Sequence, residues 1–156
     1  MALLSYSTKV PAERTAQQII ALLGRLHAKA ILLENDHLGY LATISFKMQT
    51  DDGERHFKLP VDANACEKVL LQQYEKGDPA MRPGMTTPEH ARRVAWRINL
   101  EWLKLQMALI EAAQATVVQV FLPYMLVGDG RTVYQLMQAQ QFKSLPPGGA
   151  NVVPRT

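Results

Sequence analysis

At 156 residues the chain is the length of one domain and long enough to bury a core of its own. Its mildly basic balance, +3 with a pI of about 9.1, permits an anionic partner without demanding one. Cys66 is the lone cysteine, which excludes an internal disulfide and a cysteine-based metal set. No low-charge apolar run reaches membrane-spanning length, and Met1-Ala2-Leu3-Leu4 lacks the basic start of a secretory signal, so the expectation is a cytosolic protein with no membrane partner.

From the N-terminus, Leu4 to Val10 alternates Tyr6, Thr8 and Val10 against Ser5, Ser7 and Lys9, the pattern of a short strand. Pro11 stops it and opens a helix to His27, with Thr15, Ile19, Leu22, Leu23 and Leu26 on one face. Ala30 to Glu34 is a compact aliphatic strand, followed by the turn-rich Asn35-Asp36-His37-Leu38-Gly39. Tyr40 to Gln49 alternates cleanly. Tyr40, Ala42, Ile44, Phe46 and Met48 point one way; Leu41, Thr43, Ser45, Lys47 and Gln49 point the other. Thr50-Asp51-Asp52-Gly53 is a hairpin signal, because glycine supplies the positive φ of a tight turn. Glu54 to Leu59 returns with Arg55, Phe57 and Leu59 on the apolar side and Glu54, His56 and Lys58 on the polar side.

Asp62 is placed to cap a helix over Ala63 to Lys76, whose stripe is Cys66, Val69, Leu70 and Tyr74 and whose end is marked by Gly77. The Pro- and Gly-containing segment 77–86 reads as a flexible loop between an N-terminal α/β part (4–76) and a helical part (87–142). Thr87 caps the longest helical pattern, Thr87 to Ala113, with Pro88 at its first position. Val94, Ile98, Trp102, Leu105, Leu109 and Ala112 form its stripe, widened by Ala95, Leu103, Met107 and Ile110; Arg93, Arg97, Glu101 and Lys104 form a polar ridge. Such breadth suits a helix with partners on two sides.

Thr116 and Gln119 form a capping-box pattern before the apolar run Val117 to Val127, which Pro123 shortens or kinks. Gly128-Asp129-Gly130 is a turn. Arg131 to Phe142 reads as a last helix with Val133, Tyr134, Met137 and Phe142 inward, and 146–156 as a flexible tail. The order β-α-βββ-α followed by helices predicts one α+β domain over 1–145: an antiparallel sheet of three to four strands covered on one face by helices, then a helical half. The two helices that flank the three central strands in sequence are expected to cover the sheet.

No catalytic constellation emerges. The four histidines have no metal-ligand spacing, and no Walker A loop, G-x-S-x-G or G-x-G-x-x-G occurs. His37 beside Asp36, with Asp51, Asp52 and Glu54 at a hairpin tip, offers the material for a hydrolase or a weak cation site, but turn chemistry accounts for these residues. His90, in the first turn of the long helix, reads as a surface residue. Cys66 falls on an apolar stripe and reads as a structural thiol. The expectation is a non-enzyme without cofactor or metal.

Two basic groups remain. Lys47 and Lys58 share the polar sheet face with Thr43, Ser45, Gln49 and His56, types that bind phosphates. Arg92, Arg93 and Arg97 gather early on the long helix. The polar sheet face has no aromatic row, so base stacking of the RRM kind is not indicated. Trp96 lies off the main stripe and, with Tyr124, is the candidate anchor for a protein partner.

The passage VAWRINLEWLKLQMALIEAAQATVVQVFLPYM, with GDGRTVYQLM, FKLPVD and the opening YSTKVPAERTAQQIIALLGRLHAKAILLE, resembles a group of small uncharacterised proteins of bacteriophages and prophages. The resemblance spans Tyr6 to Gln141 and implies action in the cytoplasm of a bacterial host. It carries no catalytic residues. At the level of fold alone, helix–three strands–helix is similar to the core of Rad52-like single-strand annealing proteins and to double-stranded-RNA-binding domains, although the second helix here opens with Asp62, Ala63, Asn64 and Ala65 rather than a basic cluster. The resulting expectation is an accessory protein that binds nucleic acid through Lys47, Lys58, Arg92, Arg93 and Arg97, annealing or coating single strands as a homo-oligomer. The alternative is an interaction module that binds a host or phage protein.

Overall fold

A computed structural model describes residues 1–148; most of the predicted flexible tail at 146–156 lies outside them. The element order is α1 (Ala12–Arg25), β1 (Ala30–Asn35), β2 (Leu41–Thr50), β3 (Gly53–Lys58), α2 (Ala63–Glu75), α3 (Pro88–Glu111), α4 (Val117–Phe121) and α5 (Val133–Ala139), with single 3-10 turns at Pro83–Thr86 and Leu122–Tyr124. The fold is α+β, with a three-stranded antiparallel sheet in the order β1-β2-β3.

Local chemistry sets most boundaries. Gly53 takes φ +96° where β2 turns into β3, and the Thr50 hydroxyl donates to the Gly53 carbonyl at 2.7 Å. The Asp62 carboxylate accepts from Ala65 N, and Thr87 Oγ1 from His90 N. Gly77, at φ +76°, follows the end of α2. Thr116 with Gln119 and Thr132 with Gln135 both close as capping boxes. Pro123 falls in the 3-10 turn that succeeds α4.

The segment Leu4–Val10 is not a strand. It folds into turns, with Tyr6 N donating to the Leu3 carbonyl and Thr8 N to the Ser5 carbonyl. Leu3 and Tyr6 pack against the cluster formed by Cys66, Leu70, Met81, Ala91, Val94 and Ala95. Alternation over a few residues does not make a strand unless the segment runs along a sheet edge, and this one packs on the α2–α3 cluster instead. The buried His90 ring meets the Tyr6 carbonyl and ties this segment to α3; a surface role for His90 is therefore corrected.

The larger core joins α1 (Ala16, Ile19, Leu23), the inner sheet face (Ile44, Phe46, Met48, Phe57), α3 (Trp96, Leu100, Leu103, Met107) and Phe121. The layer over the sheet is thus α1 and α3. The expectation that α2 lies on the sheet is corrected: Cys66 and Leu70 of α2 face α3 instead. The stretch 77–86 is not a bare linker, since it includes a 3-10 turn and buries Met81.

The buried surface of α3 also differs from the predicted stripe. Leu105 is 67% exposed and Leu109 37%, while Trp96, Leu100 and Leu103 are essentially inaccessible. Near its start α3 is buried on two sides, against α1 and the sheet and against α2. A 13-residue helix is about 20 Å long against about 36 Å for one of 24, so α2 runs out before Leu105 is reached. The last helix ends at Ala139, and Phe142 falls in the turn beyond it at φ +57°. Tyr134 and Phe142 are 50% and 42% exposed, and their inward placement is corrected.

Candidate nucleic-acid interface

The sheet face away from α1 and α3 has no helix over it among the described residues. The register pairs Lys47 with His56 and Ser45 with Lys58, and sets Leu32 beside Ser45 and Glu34 beside Thr43. Lys47, His56 and Lys58 therefore sit on adjacent strands of one face, as their alternation predicts. A depression of about 320 Å³ lies among Ala30, Leu32, Ser45, Lys47, His56 and Leu126.

Charge on this face is mixed. Glu54 accepts a hydrogen bond from Lys29 Nζ at 3.2 Å, and Lys47 Nζ lies 3.7 Å from it. The Lys29 hydrogen bond, with the Lys47 charge behind it, holds the exposed Glu54 carboxyl below its usual range. Lys58 forms no salt bridge among the described residues. Surface pairs of this kind contribute little stability and exchange readily for other anions. Lys29 escaped sequence reasoning because it precedes the strand; its signal was a cation one residue outside a run that faces a lysine.

The arginines form a separate group. Since α3 covers the inner face, Arg92, Arg93 and Arg97 do not join Lys47 and Lys58. Arg93 pairs with Glu89 at 2.7 Å; Arg97 lies 3.3 Å from Glu101 and donates to Gln18 at 3.2 Å. These are intrahelical and helix–helix ties rather than free cations. Arg92 differs: its guanidinium lies over the Tyr40 ring at 3.9 Å from the centroid, a cation–π contact. It borders a cleft of about 660 Å³ with Leu38, Tyr40, Pro88 and Arg93, which Glu13 and Glu89 also line. Nothing in the residue types alone paired Tyr40 with Arg92.

Of the two residues read as partner anchors, Trp96 is 0% exposed and cannot be a surface anchor in this fold. Tyr124 is half-buried, in edge contact with the Trp102 ring at 5.5 Å. Trp102, read as core, is itself only partly buried and packs on Phe121.

The alternative constellations dissolve into turn structure. Asp36 accepts from Leu38 N and Tyr40 N, which leaves His37 exposed on an Asx turn. Thr50 Oγ1 accepts from Asp52 N in the acidic hairpin. Among the described residues there is no group of three or more His, Cys, Asp or Glu able to hold a metal, and no helix long and apolar enough to cross a membrane. Compared with known proteins, the chain matches no family model, no curated protein and no solved structure.

Proposed function

We propose that this chain is a phage-type accessory protein of the bacterial cytoplasm that holds nucleic acid non-specifically, coating or annealing single strands. The observation that supports it is the uncovered sheet face on which Lys47, His56 and Lys58 stand side by side with Thr43 and Ser45. The lysines displace counterions from a phosphodiester backbone, and the hydroxyls and imidazole add hydrogen bonds without reading sequence. Arg92, beside Tyr40, is the cation of α3 best placed to extend such contacts around the sheet rim; Arg93 and Arg97 contribute only by leaving their present partners. Binding to a labelled oligonucleotide, followed by anisotropy over a salt series, tests this. The Lys47→Ala/Lys58→Ala double variant should bind a single strand roughly 10-fold more weakly at low salt, with the slope of log K against log salt shallower by about 1.4. An unchanged slope, or no binding by the parent at low salt, would sink the proposal.

A second reading, a module for a host or phage protein, has its own observation. Leu105, Leu109 and Leu122 are exposed; they replace the buried Trp96 as the surface such a partner would meet. A Leu105→Lys variant that stays folded should lose any protein captured from a bacterial lysate. Full retention would rule that surface out.

A further inference from the structure

We propose that β1 is a pairing edge through which two copies of this chain join into one six-stranded antiparallel sheet. The two edges of the sheet differ. Beside β3, Leu126 N donates to the His56 carbonyl at 2.8 Å and Met125 bridges Phe57. The chain thus covers that edge with its own C-terminal segment. No segment among the described residues bridges to the outer side of β1. Every residue of β1 except Ile31 is exposed, with Leu32 at 57% and Leu33 at 39%. A bare row of amides and carbonyls flanked by apolar side chains invites another strand.

The backbone directions favour one partner. Leu59 N donates to the Ile44 carbonyl at 3.0 Å, so even-numbered residues of β2 direct their amides and carbonyls to β3 and odd-numbered ones to β1. The register sets Leu32 against Ser45. Leu32 therefore bonds to β2, and the N–H and C=O of Ile31 and Leu33 point outward. A two-fold axis normal to the sheet, placed at Leu32, satisfies all of them at once. Ile31 of each copy exchanges two hydrogen bonds with Leu33 of the other. Leu32 meets its counterpart as a non-hydrogen-bonded pair, with Cα atoms about 4.5 Å apart.

Side chains agree with this axis. Ile31 and Leu33, opposite Phe46 and Ile44, meet on the helix side, while the two Leu32 side chains meet on the open side. Glu34 of one copy falls across from Ala30 of the other, whose small side chain leaves it facing Lys47, the neighbour of Ala30 in β2. Glu34 makes no salt bridge within one chain among the described residues. A second copy supplies apolar match, hydrogen bonds and countercharge together, and leaves both open faces on one side of the joined sheet. The bulge between Glu34 and Asn35 ends the pairing there and keeps it from propagating.

Sedimentation over a concentration series, without nucleic acid, reads this separately from any test of the open face. The parent should shift from monomer to dimer as concentration rises. Leu33→Pro removes an outward N–H in each copy and leaves the β1–β2 ladder intact, so it should weaken association roughly 30-fold. Leu32→Cys should form a disulfide-linked dimer on mild oxidation, because a non-hydrogen-bonded pair lies within disulfide reach. Leu38→Cys, on an equally exposed turn, should not, and the buried Cys66 stays silent. Leu33→Pro is scored only if its circular dichroism matches the parent; Leu32→Cys decides otherwise. A monomer at every concentration, a dimer indifferent to Leu33→Pro, or no cross-link at Leu32→Cys overturns the proposal.

Discussion

Replacing Trp96 with alanine will cost about 3–5 kcal/mol of folding stability. That is a large share of the roughly 5–15 kcal/mol that holds a domain together, and for a chain of this size it lowers the melting temperature by on the order of 10 °C or more. Trp96 is fully buried where α3 meets α1 and the sheet, in one cluster with Ile19, Leu23, Phe46 and Phe57. Its removal leaves an indole-sized void that a helix packed on two sides cannot close. The indole Nε1 meets no acceptor among the described residues, so the loss is one of packing and not of a hydrogen bond. Trp96→Phe should therefore lose much less than Trp96→Ala. Trp102→Ala should also lose less, since Trp102 is only partly buried. Thermal unfolding followed at 222 nm separates the three. A Trp96→Ala variant within about 1 kcal/mol of the parent would remove Trp96 from the core.

The same tryptophan shows where pattern and packing part. Two-residue periodicity placed Ile44, Phe46, Met48 and Phe57 on one face, and all four are buried. A strand has only two faces, so its pattern determines burial once one face is covered. The helix caps Asp62, Thr87 and Thr116 were legible for a similar reason, since each needs only neighbours within three residues. The cap at Thr132 is of the same kind but lies one residue inside the start read for the last helix. A helix face has no such local determinant. Val94 and Ile98 belong to a real contact with α2, whereas Leu105 and Leu109, on the same line of the helix, lie outside that cluster and are exposed. Which helix lies on the sheet was likewise beyond periodicity, because α2 and α3 both carry apolar faces and only long-range packing chooses between them.

The candidate site divides along the same line. Lys47, His56 and Lys58 share a face because strand alternation and a two-residue hairpin put them there. Arg93 and Arg97 read as free cations because intrahelical pairing with Glu89 and Glu101 depends on rotamers as well as spacing. Spacing of four permits the pair; it does not oblige it. The cover of β3 by Leu126, and hence the contrast with bare β1, depends on a contact between segments some seventy residues apart. No periodicity records it.

Cys66 will be modified about 100-fold more slowly near pH 8 than an ordinary thiol of its kind, and its rate will keep climbing beyond pH 9. Burial between α2 and α3, followed by the negative charge of Asp62, raises the thiol from its ordinary value of 9.0 to about 11. Near pH 8 a thiol that titrates at about 11 rather than 9.0 has a thiolate fraction lower by roughly 100-fold, and the thiolate is the nucleophile. The route of attack does not alter the shape of the profile. If the reagent enters the folded protein, it waits for a thiolate of the folded state. If it waits for α2 to open, the open thiolate is still drawn from a folded thiol that stays protonated until about pH 11. Linkage gives the matching stability curve. The folded state holds the proton more tightly than the unfolded one, so its stability is present in full below the unfolded pKa near 9 and is lost as pH rises toward 11. Cys66→Ala removes that alkaline loss, at the cost of the packing its sulfur provides. Asp62→Asn keeps the cap, because asparagine caps as well as aspartate, and removes the smaller electrostatic cause; its profile should move slightly toward lower pH. Stopped reactions with an alkylating reagent from pH 7 to 11, read by mass, give the curve. A plateau near pH 9 would mean that neither the burial nor the neighbouring charge acts on this thiol, and with it would go the packing of α2 on α3.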